Sequence, residues 1–255
     1  MAQYSFGVGN LFATPLSDAY GAQIAKPTSF ELGILQDNSV DFSFDVKELY
    51  GQGQFPVDIA RGKGKITGKA KVARLNGLLV NSILFGQAMS TGSATAVARS
   101  LTATPVPVGG TVTPTPPNAG VFVADLGVTN AKAVPLTRVA SAPAAGQYSV
   151  DESTGAYTFA TADANLPVFI NYRYSTTMAG AKSSTVMNLP MGEAPSFSLD
   201  LHKEYHGKIL TLHLFKCVST KMSLTGKQDD YDTPEFEFQA FADDLGRVFN
   251  WSISE

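Results

Sequence analysis

The chain has 255 residues, 44% of them hydrophobic and 16% charged, with a formal net charge of −3. That length holds one large β domain or two smaller ones, with enough apolar material for a sizeable core. The near-neutral balance gives no global field for nucleic acid, the single Cys217 excludes an intrachain disulfide, and no apolar run is long enough to span a bilayer as a helix.

The opening MAQYSFGVGN lacks a basic stretch followed by an apolar core, so a soluble protein made in the cytosol is expected. Residues 29–35 read as a weak strand. Val40, Phe42, Phe44 and Val46 then alternate with Asp41, Ser43 and Asp45, which predicts a half-buried strand. Next, Arg61, Lys63, Lys65, Lys69 and Lys71 recur at every second position, with Thr67 filling the gap. Gly62, Gly64, Ile66, Gly68, Ala70 and Val72 lie between them. A strand sends alternate side chains to opposite faces, so this spacing predicts a basic stripe backed by a close-packing face. Asn76 is placed to cap a short apolar helix over 78–85, and Gly86 to end it.

Residues 101–177 differ in texture. TATPVPVGGTVTPTPP cannot continue a helix and resists sheet interiors. Short strands are expected at 121–125, 135–139, 147–150, 157–159 and 168–174, with the turn 151–155 making a hairpin. This region reads as an all-β insertion or lobe between 1–100 and 178–255, which together form a discontinuous core. Long strands return at 197–201 and 210–214. Glu235, Glu237 and Gln239 then alternate with Phe236, Phe238 and Ala240, and 248–253 closes the chain. The fold class is therefore mainly β, a sandwich or barrel with one flanking helix and the all-β insertion.

Candidate chemistry is sparse. His202 and His206 are four apart but in the order H-K-E-Y-H, at a strand end before a glycine turn, which does not match a zinc helix. Asp229, Asp230 and Asp232 lack the glycine and distal glutamate of a calcium loop. Gly68-Lys69 is followed by Ala70, and no helix starts there, so it is no phosphate loop. His213 has no recognisable nucleophile partner and Cys217 reads as a buried thiol. No enzyme activity, metal or cofactor is expected. The basic stripe is the strongest signal: five cations on one short face repel unless water or acidic partners screen them. Asp41/Asp45 and Glu235/Glu237 supply matching acidic faces, within one subunit or between subunits.

Residues 47–77, KELYGQGQFPVDIARGKGKITGKAKVARLNG, resemble a motif of the major tail tube proteins of long-tailed bacteriophages. Residues 147–174 are similar to a recurrent β module of phage tail proteins, and EFEFQAFADDLGRVFNWSIS to the closing strands of tube subunits. The resemblance implies a virion structural protein, made in the host cytoplasm, that assembles as stacked hexameric rings into a hollow tube. Its partners would be its own copies, the tape measure, terminator and distal tail proteins, and double-stranded DNA passing through without sequence-specific binding. Alternatives are a tail hub, a terminator, a capsid decoration protein or a carbohydrate-binding tail module.

Within that reading, the loop Tyr50, Gln52 and Gln54 and a flexible N-terminal arm over 1–20 are expected contacts between rings. Lysines repeated along a lumen would accumulate phosphate contacts and hold DNA back. Asp41, Ser43 and Asp45, or Glu235, Glu237 and Gln239, are therefore expected to line the lumen. Arg61, Lys63, Lys65, Lys69 and Lys71 should instead meet acidic groups at a subunit boundary.

Overall fold

The computed structural model describes residues 6–74, 76–226 and 228–254. The protein is mainly β, with several antiparallel sheets and a single short helix. Its strands, in chain order, are β1 (Asn10–Pro15), β2 (Phe30–Glu31), β3 (Leu35–Tyr50), β4 (Pro56–Val72), β5 (Ser90–Ala98), β6 (Thr104–Pro105), β7 (Thr111–Val112) and β8 (Val121–Asn130). They continue with β9 (Thr137–Arg138), β10 (Gln147–Asp151), β11 (Ala156–Phe159), β12 (Pro167–Ser183), β13 (Phe197–Tyr205), β14 (Lys208–Ser223), β15 (Glu235–Ala240) and β16 (Phe249–Ile253). The chain divides into two compact units, one of Met1–Met89 with Ser184–Glu255 and one of Ser90–Ser183.

The first unit is built on an eight-stranded sheet in the order β2-β1-β13-β14-β15-β4-β3, with β16 also paired to β14. The sheet's inner face carries one hydrophobic core, consistent with a sandwich. Leu11 and Ala13, Phe197 and Leu199, Leu214 and Cys217, Phe236 and Phe238, and Ile66 and Ala70 all pack in it. Each pair belongs to one strand, and in β4 and β15 the inward residues alternate with the polar Thr67, Lys69, Glu237 and Gln239, the signature of a sheet solvated on one face. Bulges in β14 after Leu214 and after Ser219 reset its phase, so that Leu214 and Cys217, three apart, both reach the core. Burial pushes the Cys217 thiol up to about 12, so it stays an inert thiol at neutral pH.

Gly68 shows why this strand needs a residue without a side chain. A Cβ there would stand 2.3 Å from Phe238 Cζ and 2.8 Å from the Ser39 carbonyl oxygen. Helix α1 (Gly77–Val80) continues as a π turn over Asn81–Phe85 and closes one end of the core with Leu79 and Ile83. Asn76 Oδ1 accepts from the Leu78 N–H at 3.0 Å, and Gly86 ends the helix at φ 58, as the sequence predicted.

The second unit has two four-stranded sheets, β7-β11-β10-β9 and β5-β12-β6 with β8 on β12. Val106, Val128, Tyr148, Tyr157, Phe159, Val168, Ile170 and Tyr172 form its separate core. The 151–155 turn joins β10 to β11 as expected. At its centre Asp125, its side chain 4% exposed, accepts hydrogen bonds from Tyr148 OH (2.7 Å), Tyr157 OH (2.9 Å) and the Gly127 N–H (2.9 Å). A bulge in β8 at Gly127, φ 101, lets Asp125 and Val128 share the inner face.

Three expectations are adjusted by these strands. The compositional stretch 101–177 lies inside the second unit, which also takes in β5 and the end of β12. The strand expected over 29–35 is only the two residues of β2, because Gly33, at φ 76, breaks the extended chain before β3 begins. The N-terminal arm over 1–20 is not free: β1 is paired along its length with β13 and buries Leu11 and Ala13. Residues 1–5 lie outside the described residues.

Candidate functional site

The solvent face of the first unit's sheet carries the charged stripes, and the register shows how they meet. Strand β15 runs antiparallel to β4 with Glu235 opposite Lys71, Glu237 opposite Lys69, and Gln239 opposite Thr67. The gap in the lysine run therefore faces the uncharged end of the glutamate run. Lys71 Nζ lies 3.3 Å from Glu235 Oε2, and from the next strand Lys221 Nζ donates to Glu237 Oε1 at 2.9 Å. The hydrogen bond to Glu237 holds the Lys221 ammonium above its ordinary value. On the other side of β4, Asp37 stands opposite Lys71, Ser39 opposite Lys69, Asp41 opposite Thr67 and Ser43 opposite Lys65.

Directly opposed residues of an antiparallel pair share a face. Asp41, Ser43, Glu235, Glu237 and Gln239 therefore lie on the same surface as Lys65, Lys69 and Lys71. The sequence reading separated these sets, lumen for the acids and subunit boundary for the lysines. The structure joins them in one mixed-charge ladder within a single chain. Each exposed ion pair contributes at most about 1 kcal/mol, so the ladder decides surface charge far more than stability.

The stripe also breaks at its far end. Between Phe44 and Val46 the β3–β4 register shifts, with an extra residue on β4 beside Gly62. Asp45 packs next to Gly62 at this bulge. Lys63 stays in phase with Lys65, but Arg61 pairs with Val46 and passes to the opposite face, its Cζ 4.2 Å from the centre of the Phe44 ring. Five cations in alternation thus become four on one side and one stacked on an aromatic on the other. A one-residue insertion inverts side-chain direction, which alternation in sequence cannot register.

Beyond Ile66 the two strands leave the core as a distal arm over 41–65. β15 pairs with β4 only from Ile66 to Lys71. Among the described residues, no strand pairs with the outer edge of β3 or with the outer edge of β4 from Pro56 to Lys65. Phe42, Phe44 and Val46, expected to be half-buried, are 45%, 47% and 54% exposed. Ile59, Leu49, Val57 and Phe55 are exposed as well. Tyr50, Gln52 and Gln54 sit at the exposed tip, where the Tyr50 hydroxyl donates to Glu48.

At the root of the arm, Phe42 meets Phe249 with ring centres 5.1 Å apart. Together with Trp251, Leu210, Leu212 and Leu201 they line an open apolar groove of about 540 Å³. The remaining candidates hold to local roles. His202 Nδ1 faces Thr211 Oγ1 at 3.2 Å, and His206 occupies the β13–β14 turn at φ 52. Asp229 lies in the exposed loop before β15. His213 Nδ1 pairs with Asp200 Oδ1 at 2.6 Å across β13 and β14, a contact that four-residue spacing arguments do not reach. Among the described residues no helix is long and apolar enough to cross a membrane, and no cluster of His, Cys, Asp or Glu could hold a metal ion. No family model and no curated protein matches the chain.

Proposed function

We propose that this chain is the subunit of a self-assembling tube, the tail tube of a long-tailed bacteriophage, built from stacked hexameric rings through which double-stranded DNA passes. The observation that carries this reading is the distal arm of β3 and β4. It is a two-stranded ribbon with exposed apolar residues on one face and both backbone edges open. An isolated two-stranded ribbon is marginal in water, and an open edge is a template for another chain. A second copy covering the arm would bury its apolar face and extend the sheet in one contact. Where the arm is covered by a different surface of the next copy, the contact is heterologous and generates rings or filaments instead of a closed dimer.

The resemblance of residues 47–77 to tail tube subunits supports the same surface, since it takes in residues 47–65 of the arm. A carbohydrate-binding module is a weaker fit. The groove offers Trp251 and two phenylalanines, but its polar lining is only Ser39, Lys203 and Asn38, whose amide already donates to the Val8 carbonyl at 2.6 Å. Sugar recognition needs several convergent polar groups beside an aromatic surface. Negative-stain electron microscopy of the purified protein across concentration and salt tests the proposal. Hollow filaments with a regular axial repeat are expected. Only monomers or single closed rings at high concentration would turn the assignment to a hub, terminator or decoration protein.

A further inference from the structure

The solvent face of the first unit's sheet carries five ammonium groups, Lys63, Lys65, Lys69 and Lys71 from β4 and Lys221 from β14. Five cations on one face are the footprint of a phosphate-binding surface, and repetition along a polymer would multiply it. The same patch carries four carboxylates, Asp37 and Asp41 from β3 and Glu235 and Glu237 from β15. The two glutamates occupy the centre, flanked on one side by Lys69 and Lys71 and on the other by Lys221.

We infer that Glu235 and Glu237 are charge masks: by compensating Lys69, Lys71 and Lys221, they let double-stranded DNA run along a lysine-bearing wall without being captured. The presence of DNA at this wall rests on the tube reading; the masking itself does not. Two observations carry it. First, the contacts are direct, 3.3 Å from Lys71 to Glu235 and 2.9 Å from Lys221 to Glu237. At such distances each carboxylate competes directly with an approaching phosphate for its ammonium group. Second, acid and base alternate across the strands, Asp37–Lys71–Glu235 in one row and Lys69–Glu237–Lys221 in the next. A phosphate over this part of the face therefore meets lysines that each have a carboxylate beside them, and fewer cations are left from which to release counterions.

Masking makes a demand that a merely acidic wall does not: removing the acids must create DNA affinity. The experiment compares the wild-type subunit with Glu235→Gln/Glu237→Gln, and with Glu193→Gln/Glu204→Gln, which removes two carboxylates elsewhere. Binding of a fluorescein-labelled DNA duplex is read by anisotropy at low salt, below the concentration at which sedimentation detects assembly. The masking variant should bind at least about tenfold more tightly than either, with log K falling as salt rises by about 0.9 per phosphate contacted. Adding Lys69→Gln/Lys71→Gln to it should abolish that gain.

Affinity equal to that of the control variant, wild-type binding as tight as the masking variant's, or a gain that survives loss of the two lysines would each overturn the inference. Should the double variant fail to fold by circular dichroism, Glu237→Gln alone decides, with a smaller gain expected. Filament formation is scored separately. Filaments without unmasking would sink the mask and leave the tube, and unmasking without filaments would do the reverse.

Discussion

In residues 90–183 the aromatic side chains point inward and are tied together: Tyr148 and Tyr157 stack with centres 5.9 Å apart, and both hydroxyls donate to the buried Asp125. In the other unit the inner face of one hairpin runs out past its own core, and Phe44, Val46 and Ile59 are left in solvent. Both units bury one face of alternating strands. What differs is closure. The second unit satisfies the hydroxyls of its buried tyrosines internally, although Leu101, Val108 and Val121 stay in solvent. The first projects the aromatic face of a ribbon with open edges, which a partner can cover.

The comparison breaks most directly at Phe238, which is 2% exposed and packs over Gly68. Phe238→Ala should cost the first unit about 3–5 kcal/mol through lost burial and the cavity left behind. Native-state hydrogen exchange would report it, with β4 and β15 amides losing protection while β10 and β11 keep theirs. Parallel loss in both sets would mean that the two cores are one cooperative system, and the contrast between them would fall.

A comparable effect tests the closed unit. Asp125→Ala removes the acceptor of two buried hydroxyls, and each orphaned donor costs about 1–3 kcal/mol, here confined to residues 90–183. The same network gives a pH signature. Burial, and next the hydrogen bond to Asp125, raise both tyrosines above the ordinary 10.0. The folded unit therefore keeps protons that the unfolded chain gives up. That share of stability is fully present below about pH 10 and is lost as pH climbs through the folded values. Denaturant midpoints for β10 and β11 should fall on the alkaline side, and flat midpoints would show that the hydroxyls are not held as the geometry implies.

Much of this was legible in the chain because period-two alternation survives wherever one strand face is buried. The strands at 40–46, 197–201, 210–214 and 235–239 follow from it, and the helix follows from its Asn76 cap and Gly86 stop. Pairing did not follow. Lys69 and Glu237 are 168 positions apart, and only the register of β15 on β4 makes them neighbours. Arg61 was misplaced because a bulge shifts phase without leaving a mark in the spacing of cations. Asp125 was hidden for the same reason, although Gly127 two residues later marks where β8 steps out of phase. The arm was read as half-buried because alternation reports which residues share a face and not what covers it.

The finest test compares two glycines of β4, one in each half of the hairpin. Gly68→Ala sets a methyl against Phe238 at 2.3 Å and against the backbone oxygen of Ser39 at 2.8 Å. Neither can withdraw, because one is locked in the core and the other belongs to the paired strand, so a cost of about 1–3 kcal/mol is expected. Gly64→Ala meets only the Phe44 ring, at 2.9 Å, and that ring is half exposed under the Arg61 guanidinium. The ring can swing away, and a replaced glycine loses less chain entropy on folding, so the subunit's melting temperature should barely move. Its assembly should respond differently, since the displaced ring belongs to the face that a second copy would cover. Gly64→Ala is therefore expected to raise the concentration needed for filaments while leaving the subunit folded. An unchanged assembly threshold, with the Phe44 ring shown to have moved, would detach the arm from the contact proposed for it.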